Sequence, residues 1–231
     1  MSDFLTLCQY LNQEVETGGT GPSAVAGQTG DLGRYVKWVK DGWTELQQER
    51  EDWLWMRKSF TVNTVASDGA YVYGDCTDTV SAVAIARFSR WYRDSFKAYL
   101  QSDGVGSEYP LRWLEWERFR RIYRYGTQTN QQPIHVSVDP TQAFVLGPIP
   151  NAVYVVSGDY QLGPQTLSAD ADTPEMPARF HNLIVFEAMQ KYGANKVAHE
   201  ILLRAAAESS RLHFALEMDQ LPKLTFGGPL A

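Results

Sequence analysis

Few residues of this chain stand in patterns that could do chemistry, and their spacing departs from the common catalytic motifs. His199 and Glu200 begin like the zinc-binding helix motif His-Glu-x-x-His, but Leu203 occupies the position of the second histidine. The sequence contains no glycine-rich phosphate-binding loop and no Gly-x-Ser-x-Gly nucleophile turn. It therefore predicts no catalytic residues, no metal site and no cofactor.

Carboxylates that are close in sequence offer the best route to an enzymatic interpretation. They are Asp75 with Asp78, Glu115 with Glu117, and Asp170 with Asp172. Glycosidases need two carboxyl groups that face each other across a cleft. A helix would point Glu115 and Glu117 to different sides, yet these two are the candidates for acid–base catalysis if the protein is an enzyme. Asp170 and Asp172 could hold a cation weakly.

One segment concentrates basic and aromatic side chains. It contains Arg112, Trp113, Trp116, Arg118, Phe119, Arg120, Arg121, Tyr123, Arg124 and Tyr125. Such a mixture can bind nucleic acid by phosphate contact and base stacking, or anchor a protein–protein interface. It can also be the solvated face of an amphipathic helix, and the sequence leaves all three interpretations open. The residues predicted to face a neighbouring subunit or DNA are Arg112, Trp113, Trp116, Arg120, Arg121 and Arg124.

Composition describes a folded and acidic protein. Hydrophobic residues make up 44% of the 231 positions, aromatic residues make up 13%, and the formal net charge is -6. This length can bury a core as one domain or as two closely joined ones. Seven tryptophans and twelve tyrosines favour an assembling subunit, because large rings are common at interfaces. The negative charge argues against tight, non-specific binding to nucleic acid.

The two cysteines and the N-terminus bear on the compartment. Cys8 and Cys76 have no metal-like spacing, so we expect free thiols in a reducing cytoplasm, with Cys8 packed in the core. No basic leader follows Met1, and no apolar run approaches the roughly 20 residues that a membrane span needs. We therefore expect a soluble chain that is made in the cytoplasm and has no membrane partner.

Hydrophobic periodicity predicts helices at both ends of the chain and strands between them. Helices are expected over 3–15, 31–53, 110–125, 177–192 and 197–218, and strands over 58–62, 70–73, 80–88, 96–100, 134–138, 143–146 and 152–160. Asp68-Gly69 is expected to turn a hairpin, Gly42 to allow a close helix contact, and Gly193 to break a helix.

This order of elements predicts an α+β fold in which N- and C-terminal helices form a bundle with an inserted β-rich, barrel-like or sandwich-like region. The expected divisions are N-terminal helices over 1–54, a β-rich insertion with one amphipathic helix over 55–172, C-terminal helices over 173–220, and a flexible tail over 221–231.

The second half of the chain resembles the head–tail adaptor (connector, or head-completion) proteins of tailed bacteriophages. In that family a helical bundle is interrupted by a β-rich domain, which is followed by a proline turn, a strand with tyrosine, a Thr-Pro…Pro pair and an apolar helix. The residues in family-like places are Pro148, Ile149, Pro150, Tyr154, Tyr160, Leu162, Thr173, Pro174, Pro177, His181, Leu183, Ala188 and Tyr192. Gln132-Pro133 replaces the usual Gly-Pro pair, and the resemblance covers about 130–195 best.

The resemblance implies a structural virion protein and not an enzyme. About twelve copies would form a ring under the portal protein, contact tail or neck proteins, and line the channel through which double-stranded DNA passes. The C-terminal helix and tail would dock on the portal through Leu216, Leu221, Leu224, Phe226 and Leu230. Two alternatives stay open: a vertex-associated enzyme that degrades the cell wall, and another ring component such as a stopper or tail-completion protein.

Overall fold

The chain divides into two compact units, a helical unit and a sheet unit. A computed structural model describes residues 2–15 and 19–222. The helical unit comprises Met1–Met56 and Pro164–Ala231, and the sheet unit comprises Arg57–Gly163. The α+β class predicted from the sequence is confirmed. The helical unit is built from both ends of the chain, whereas the sheet unit is one continuous segment.

The described residues form five α-helices. They are α1 (Phe4–Val15), α2 (Gly30–Glu49), α3 (Trp116–Tyr123), α4 (His181–Lys196) and α5 (His199–Gln220). The Thr6 amide donates a 2.8 Å hydrogen bond to Asp3 Oδ1, which caps α1. Hydrogen bonds from the side chain of Thr6 and then from its amide lower the pKa of Asp3. In the helical unit, α4 packs against α1, α2 and α5. In the described part of the chain, no helix is both long enough and apolar enough to cross a lipid bilayer.

The close contact expected at Gly42 is confirmed, between α2 and α4. A Cβ on Gly42 would lie 3.2 Å from Glu187 Cβ and 3.5 Å from the Ile184 carbonyl oxygen. Glycine inside a helix costs about 1 kcal/mol relative to alanine. Here the missing side chain lets the two helix backbones approach each other, which places Glu187 directly beside α2.

Two sheets make up the sheet unit. Their strands are β1 (Arg57–Asn63), β2 (Ala70–Tyr71), β3 (Thr77–Asp78), β4 (Arg90–Trp91), β5 (Lys97–Leu100), β6 (Tyr109–Pro110), β7 (Arg112–Trp113), β8 (His135–Val138), β9 (Phe144–Gly147) and β10 (Tyr154–Gln161). The first sheet has the order β3-β1-β10-β5-β6, with β4 also on β10, and the second has the order β2-β9-β8-β7. Neither sheet closes into a barrel within these strands.

The centre of the sheet unit is aromatic. Phe60 on β1 points inward, and its ring lies 4.7 Å from Trp91, 5.6 Å from Phe96, 5.9 Å from Phe144 and 6.4 Å from Tyr160, measured between centroids. Alternation along β1 predicts this orientation, and β1 pairs with β10 along its whole length. The predicted strands at 58–62, 96–100, 134–138, 143–146 and 152–160 are confirmed within one or two residues.

The hairpin predicted at Asp68-Gly69 is wrong. β2 pairs with β9 through Ala70 and Val145, whereas β1 pairs with β10 and β3. A two-residue strand has too few hydrogen bonds to fix its own partner, so the long register between β1 and β10 decides the topology. The loop is instead held by the Tyr71 hydroxyl, which donates to the Asp68 carbonyl at 2.8 Å.

The strand predicted over 80–88 is also wrong. Val80 and Val83 are exposed, and Ala82 has a φ of 57°, which belongs to a turn. The Asp78 carboxylate holds this turn by accepting hydrogen bonds from the backbone of Val80 (3.0 Å) and Ser81 (2.7 Å). A run of β-branched residues predicted extended structure, but the local side-chain-to-backbone bonds prevail.

The helix predicted from Pro110 begins later, at Trp116. Arg112 and Trp113 form β7, which is parallel to β8. The Arg112 and Leu114 amides each donate 2.9 Å hydrogen bonds, to the carbonyl oxygens of Ile134 and Val136. These amides cannot serve a helix because the sheet already uses them.

Two helix ends differ from the predictions. α2 ends at Glu49, so Trp53 lies beyond it, but Trp53 is buried and its Nε1 donates a 3.1 Å hydrogen bond to the Leu46 carbonyl. α4 continues through Gly193 and ends where Val197 takes a φ of 55°. At Gly193 an added Cβ would lie 3.0 Å from Leu202 Cβ. This glycine therefore permits close packing against α5 and does not break the helix.

Candidate functional site

The arginines of the basic segment reach the surface from one strand and one helix. Arg112 is on β7, Arg118 and Arg121 are on α3, and Arg124 directly follows α3; all four are exposed. Within residues 2–15 and 19–222, no carboxylate lies within salt-bridge distance of any of them. Arg120 differs, because it pairs with Glu117 at 3.0 Å. We call Arg112, Arg118, Arg121 and Arg124 the basic face.

A glycine on β9 lets α3 lie flat on the second sheet. A Cβ on Gly147 would be 2.5 Å from Tyr123 Cδ2 and 2.8 Å from Phe119 Cε2. Phe119 is buried, and the Tyr123 hydroxyl lies 2.8 Å from His135 Nδ1. These contacts fix the position of α3 and therefore the direction of its arginines.

The positive charge of the basic face acts on His135. Burial is the largest cause that lowers the pKa of His135, and the positive charges of Arg112 and Arg118 lower it further. Burial raises the pKa of Tyr123. A surface whose own histidine is pushed toward the neutral form by nearby guanidinium groups is suited to an anionic partner.

The tryptophans predicted to face a partner are mostly engaged within the chain. Trp113 Nε1 donates to Glu115 Oε1 at 3.3 Å, and the Arg93 guanidinium lies 5.1 Å from the Trp113 ring centroid. Trp116 is half-buried and stacks on Phe119 with a centroid distance of 6.1 Å. Exposed apolar side chains beside the basic face include Ile122 and Tyr125, the latter at 62%.

The carboxylates of these pairs make structural contacts within the chain. Glu115 and Glu117 are mainly exposed, and they pair with Arg93 and Arg120 at 3.0 Å each. Asp172 Oδ2 accepts hydrogen bonds from the backbone amides of Ala169 and Ser168, which lower its pKa. Asp170 Oδ1 accepts a 2.7 Å hydrogen bond from the Val25 amide. Among the residues that the structure describes, no three His, Cys, Asp or Glu side chains form a group that could hold a metal ion.

Cys8 and Cys76 are free, buried thiols, as expected from the sequence. Burial is the main cause that raises the pKa of each to about 12. A thiol with such a pKa stays protonated near neutral pH and is a poor nucleophile. Cys8 packs in the core of the helical unit beside Leu7 and Leu11, which confirms its predicted role.

α5 has a buried face and an exposed apolar stripe. The buried face contains Ala205, Ser209 and Leu216. The exposed stripe contains Leu203, Phe214 and Met218, whose exposures are 71%, 67% and 65%. The spacing of 11 and four residues between the members of the stripe places them on one side of the helix. We call Leu203, Phe214 and Met218 the outer stripe.

The predicted portal-docking residues do not coincide with the outer stripe. Leu216 is fully buried in the helical unit, so its side chain is not free to contact a partner. Leu221 is half-buried. Leu224, Phe226 and Leu230 lie outside the described residues, as does most of the predicted tail. Phe214 and Met218 are each two residues from Leu216 along the helix, and they therefore lie on the opposite side of α5.

The inner side of α5 is attached through a partly buried polar network. His213 Nε2 donates to Glu187 Oε1 at 3.0 Å, and Ser209 Oγ donates to the same oxygen. His213 Nδ1 lies 3.3 Å from Glu49 Oε2 on α2. The hydrogen bond with Glu187 is the largest cause that raises the pKa of His213, with Glu49 and Glu217 adding to it. Burial opposes ionisation of Glu187, but hydrogen bonds from His213 and Ser209 outweigh it and lower its pKa.

An open cavity of about 310 Å³ adjoins this network. It is lined by Glu45, Leu46, Gln48, Glu49, Glu187 and His213. Glu45 also pairs with Lys191 at 2.6 Å. The sequence interpretation did not single out these residues; the one available signal was Glu187, a carboxylate set between Phe186 and Ala188 in an otherwise apolar helix. We call this cavity the acidic groove.

The described part of the chain is thus an α+β fold with buried thiols, carboxylates engaged in structural bonds and large apolar side chains exposed on α5. Residues 3–226 match the family model described as SU10 adaptor protein. The chain therefore belongs to the SU10 adaptor family and is a bacteriophage adaptor protein. The resemblance identified over 130–195 is confirmed and extends over nearly the whole chain. No curated protein matches the chain.

Proposed function

We propose that the protein is a head–tail adaptor that forms a ring of about twelve copies between the portal and the tail or neck proteins of the virion. The helical unit is the bundle of the adaptor, and the sheet unit is its insertion. Double-stranded DNA passes through the ring during packaging and ejection. The role is architectural, without a catalytic step and without a cofactor. Family membership over residues 3–226 supports the adaptor class.

The outer stripe of α5 is the observation that carries the assembly role. Single exposed apolar side chains are normal on a protein surface. Three large apolar side chains are exposed on one side of this 22-residue helix, and Phe214 and Met218, one turn apart, are adjacent. Such exposure is typical of a helix that packs against another chain. We assign the C-terminal end of this stripe, Phe214 and Met218, to portal docking, together with Leu221, Leu224, Phe226 and Leu230.

Leu216 supports this docking from within the helical unit. Its side chain packs inward on the face opposite to Phe214 and Met218, so it fixes the rotation of α5 about its axis. Substitution of Leu216 would therefore disturb docking only through the fold. This distinguishes it from Phe214, which can be changed without opening a cavity.

The proposal is tested with purified protein and purified portal of the same phage. Size-exclusion chromatography with light scattering gives the mass of the protein alone and with portal, and negative-stain electron microscopy gives the shape of the complex. We expect a ring, either alone or on the portal. The variant Phe214→Glu/Met218→Glu is expected to lose at least 10-fold in portal affinity. Val105→Glu, an equally exposed apolar position in the sheet unit, is the matched control.

Three outcomes would contradict the proposal. A wild-type protein that stays monomeric and ignores the portal is not an adaptor. Binding to an adaptor–portal complex but not to the portal itself would identify a stopper or tail-completion protein. Clearing of cell-wall material that disappears in Glu115→Gln or Glu117→Gln would identify an enzyme.

A further inference from the structure

The two units of the chain carry very different charge. The helical unit contains 10 of the 21 lysines and arginines and 17 of the 27 acidic residues, which gives a formal charge of −7, whereas the sheet unit contains 11 basic and 10 acidic residues and has +1. A net charge of -6 for the whole chain therefore conceals a strong internal asymmetry. Such asymmetry allows unlike surfaces of two copies to attract each other.

The most acidic stretch of the helical unit leads into the acidic groove. Residues 41–52 contain Asp41, Glu45, Glu49, Glu51 and Asp52 and a single basic residue, Arg50. In and beside the groove, the carboxylates of Glu45, Glu49, Glu187 and Glu217 lie near three basic groups, which are Lys191, Arg50 and His213. Four carboxylates outnumber three basic groups, so this region keeps a net negative charge in either protonation state of His213. Leu54, just beyond this stretch, is an exposed apolar side chain.

The basic face has the opposite character on the sheet unit. Its four arginines have no carboxylate partner in the described residues. Arginine forks bind carboxylates in a planar, bidentate geometry and lose less hydration than lysine when they do so. Ile122 and Tyr125 are exposed beside these arginines and offer an apolar contact of the kind that surrounds arginine anchors at interfaces.

We propose that the basic face of one copy binds the acidic groove of a second copy. The contact rests on the proposed ring and names the surfaces that meet in it. It joins two different patches, so each copy uses its basic face toward one neighbour and its acidic groove toward the other. A contact of this kind generates a closed ring when the rotation between copies permits.

Duplex DNA is the other polyanion that the basic face could meet, and the observations favour the second copy. The acidic groove supplies a shaped, negatively charged complement on the same protein. Ile122 and Tyr125 would gain from burial against protein but not from contact with phosphates. The overall negative charge of the chain also repels DNA at long range.

The experiment is a charge exchange between the two surfaces. Variant one carries Arg118→Glu/Arg121→Glu, and variant two carries Glu45→Arg/Gln48→Arg, which leaves Glu49, Glu187 and His213 unchanged. Self-association is measured by sedimentation velocity and mass photometry, with and without portal. Each variant alone is expected to associate at least 10-fold more weakly than wild type. The equimolar mixture is expected to recover assembly, because every acidic face then meets a basic groove and every basic face meets an acidic groove.

A control variant and the salt dependence complete the test. Lys58→Glu/Lys97→Glu makes the same change of charge elsewhere in the sheet unit and is expected to assemble like wild type. Wild-type assembly is expected to weaken between 50 mM and 500 mM NaCl, since screening reduces attraction between charged surfaces. Thermal unfolding of each variant shows that it is folded before its assembly is measured.

The possible results distinguish a failure of this contact from a failure of the proposed function. Rings that form equally well with variant one or variant two would overturn the contact and leave the adaptor role intact. Unchanged assembly with reduced DNA retention in variant one would assign the basic face to DNA. Variants that each fail alone and also fail when mixed would show that the two surfaces do not meet. A wild-type protein that assembles neither alone nor on the portal would overturn the adaptor role itself.

Discussion

The interiors of the two units are built from different chemistry. In the sheet unit, Phe60 is enclosed by aromatic rings, and the nearest is Trp91 at 4.7 Å between centroids. In the helical unit, the contact of α5 with α2 and α4 includes a partly buried carboxylate, Glu187, that accepts hydrogen bonds from Ser209 and His213. The first interior is held by apolar burial and the second depends in part on protonation.

This difference indicates how each unit serves assembly. An aromatic core packs by apolar burial beneath the sheet that supports α3 and the basic face, and the rings themselves carry no group that titrates between pH 6 and pH 8. The network at His213 ties α5, which carries the outer stripe, to the rest of the helical unit through groups that titrate. We therefore expect the attachment of α5, which we propose as the docking helix, to depend on pH.

The largest effect is expected at the centre of the sheet unit. Phe60→Ala removes a fully buried ring that touches Trp91, Phe96 and Phe144, and it should cost about 3–5 kcal/mol of unfolding free energy. Urea denaturation gives the total loss. Hydrogen exchange with mass spectrometry locates it, and peptides from β1, β5 and β10 should lose protection while α1 does not. Equal loss of protection in α1 would show that the two units do not differ in this way.

Gly147 offers the next largest effect, because it is the base on which α3 rests. Gly147→Ala adds a Cβ within 2.8 Å of Phe119 and closer still to Tyr123, so the helix must shift, at a cost of about 1–3 kcal/mol. Because α3 carries Arg118 and Arg121, assembly should weaken together with stability. Gly106→Ala, in a loop of the sheet unit with open space around it, is the control. If Gly147→Ala assembles fully, the contribution of the basic face to assembly does not depend on how α3 packs on Gly147.

Residues within regular, long elements could be predicted from the sequence. Alternation around Phe60 and Val62 predicts β1, and the three- and four-residue spacing around Leu7 and Leu11 predicts α1, because one face of each element is buried and one is solvated. The proline-rich turns and the strand at Tyr154–Gln161 also follow from local chemistry.

Features that depend on distant partners could not be predicted in this way. The sequence pattern at Arg112 and Trp113 predicts a helix. They form a strand because β8, more than 20 residues further along the chain, lies alongside them. On α5, apolar residues occupy two faces, and the buried face includes a polar residue, Ser209, because Glu187 accepts its hydrogen bond. The outer stripe and the acidic groove therefore emerge only when α2, α4 and α5 are placed together.

The polar network predicts a loss of stability as pH rises above about 6.5, which the sheet unit should lack. The folded-state pKa of His213 is raised, so its stabilising effect is complete below the unfolded value of about 6.5 and is lost as pH rises through the folded-state pKa. His213→Gln should cost about 1–2 kcal/mol at pH 6, since Glu187 loses a charged donor, and less at pH 8. Unfolding free energy measured from pH 5.5 to 8.5 tests this, and NMR titration of His213 gives the folded-state pKa directly.

His135 provides a control for this prediction within the same chain. Its pKa is lowered by burial and by Arg112 and Arg118, so the stability linked to its titration is present above the unfolded value of about 6.5 and is lost as pH falls through the lower folded-state pKa. His135→Gln should therefore change the pH dependence mainly below about pH 6.5 and with the opposite sign, and it should leave the loss of stability at higher pH unchanged. The same loss of slope in His135→Gln and His213→Gln would show that the network at Glu187 has no special role.

The smallest effect is expected at a surface ion pair on the sheet unit. Arg57 Nε and Nη2 lie 2.9 Å and 2.6 Å from Asp159 Oδ2, and the guanidinium lies 4.2 Å from the Tyr92 ring centroid. Exposed pairs contribute about 1 kcal/mol or less, and Asp159 keeps its hydrogen bond from Ser59 at 2.7 Å when Arg57 is replaced. Arg57→Ala should therefore lower the unfolding free energy of the sheet unit slightly, and equally at pH 6 and pH 8. A loss as large as that of His213→Gln would mean that surface charge, and not the buried network, separates the two units.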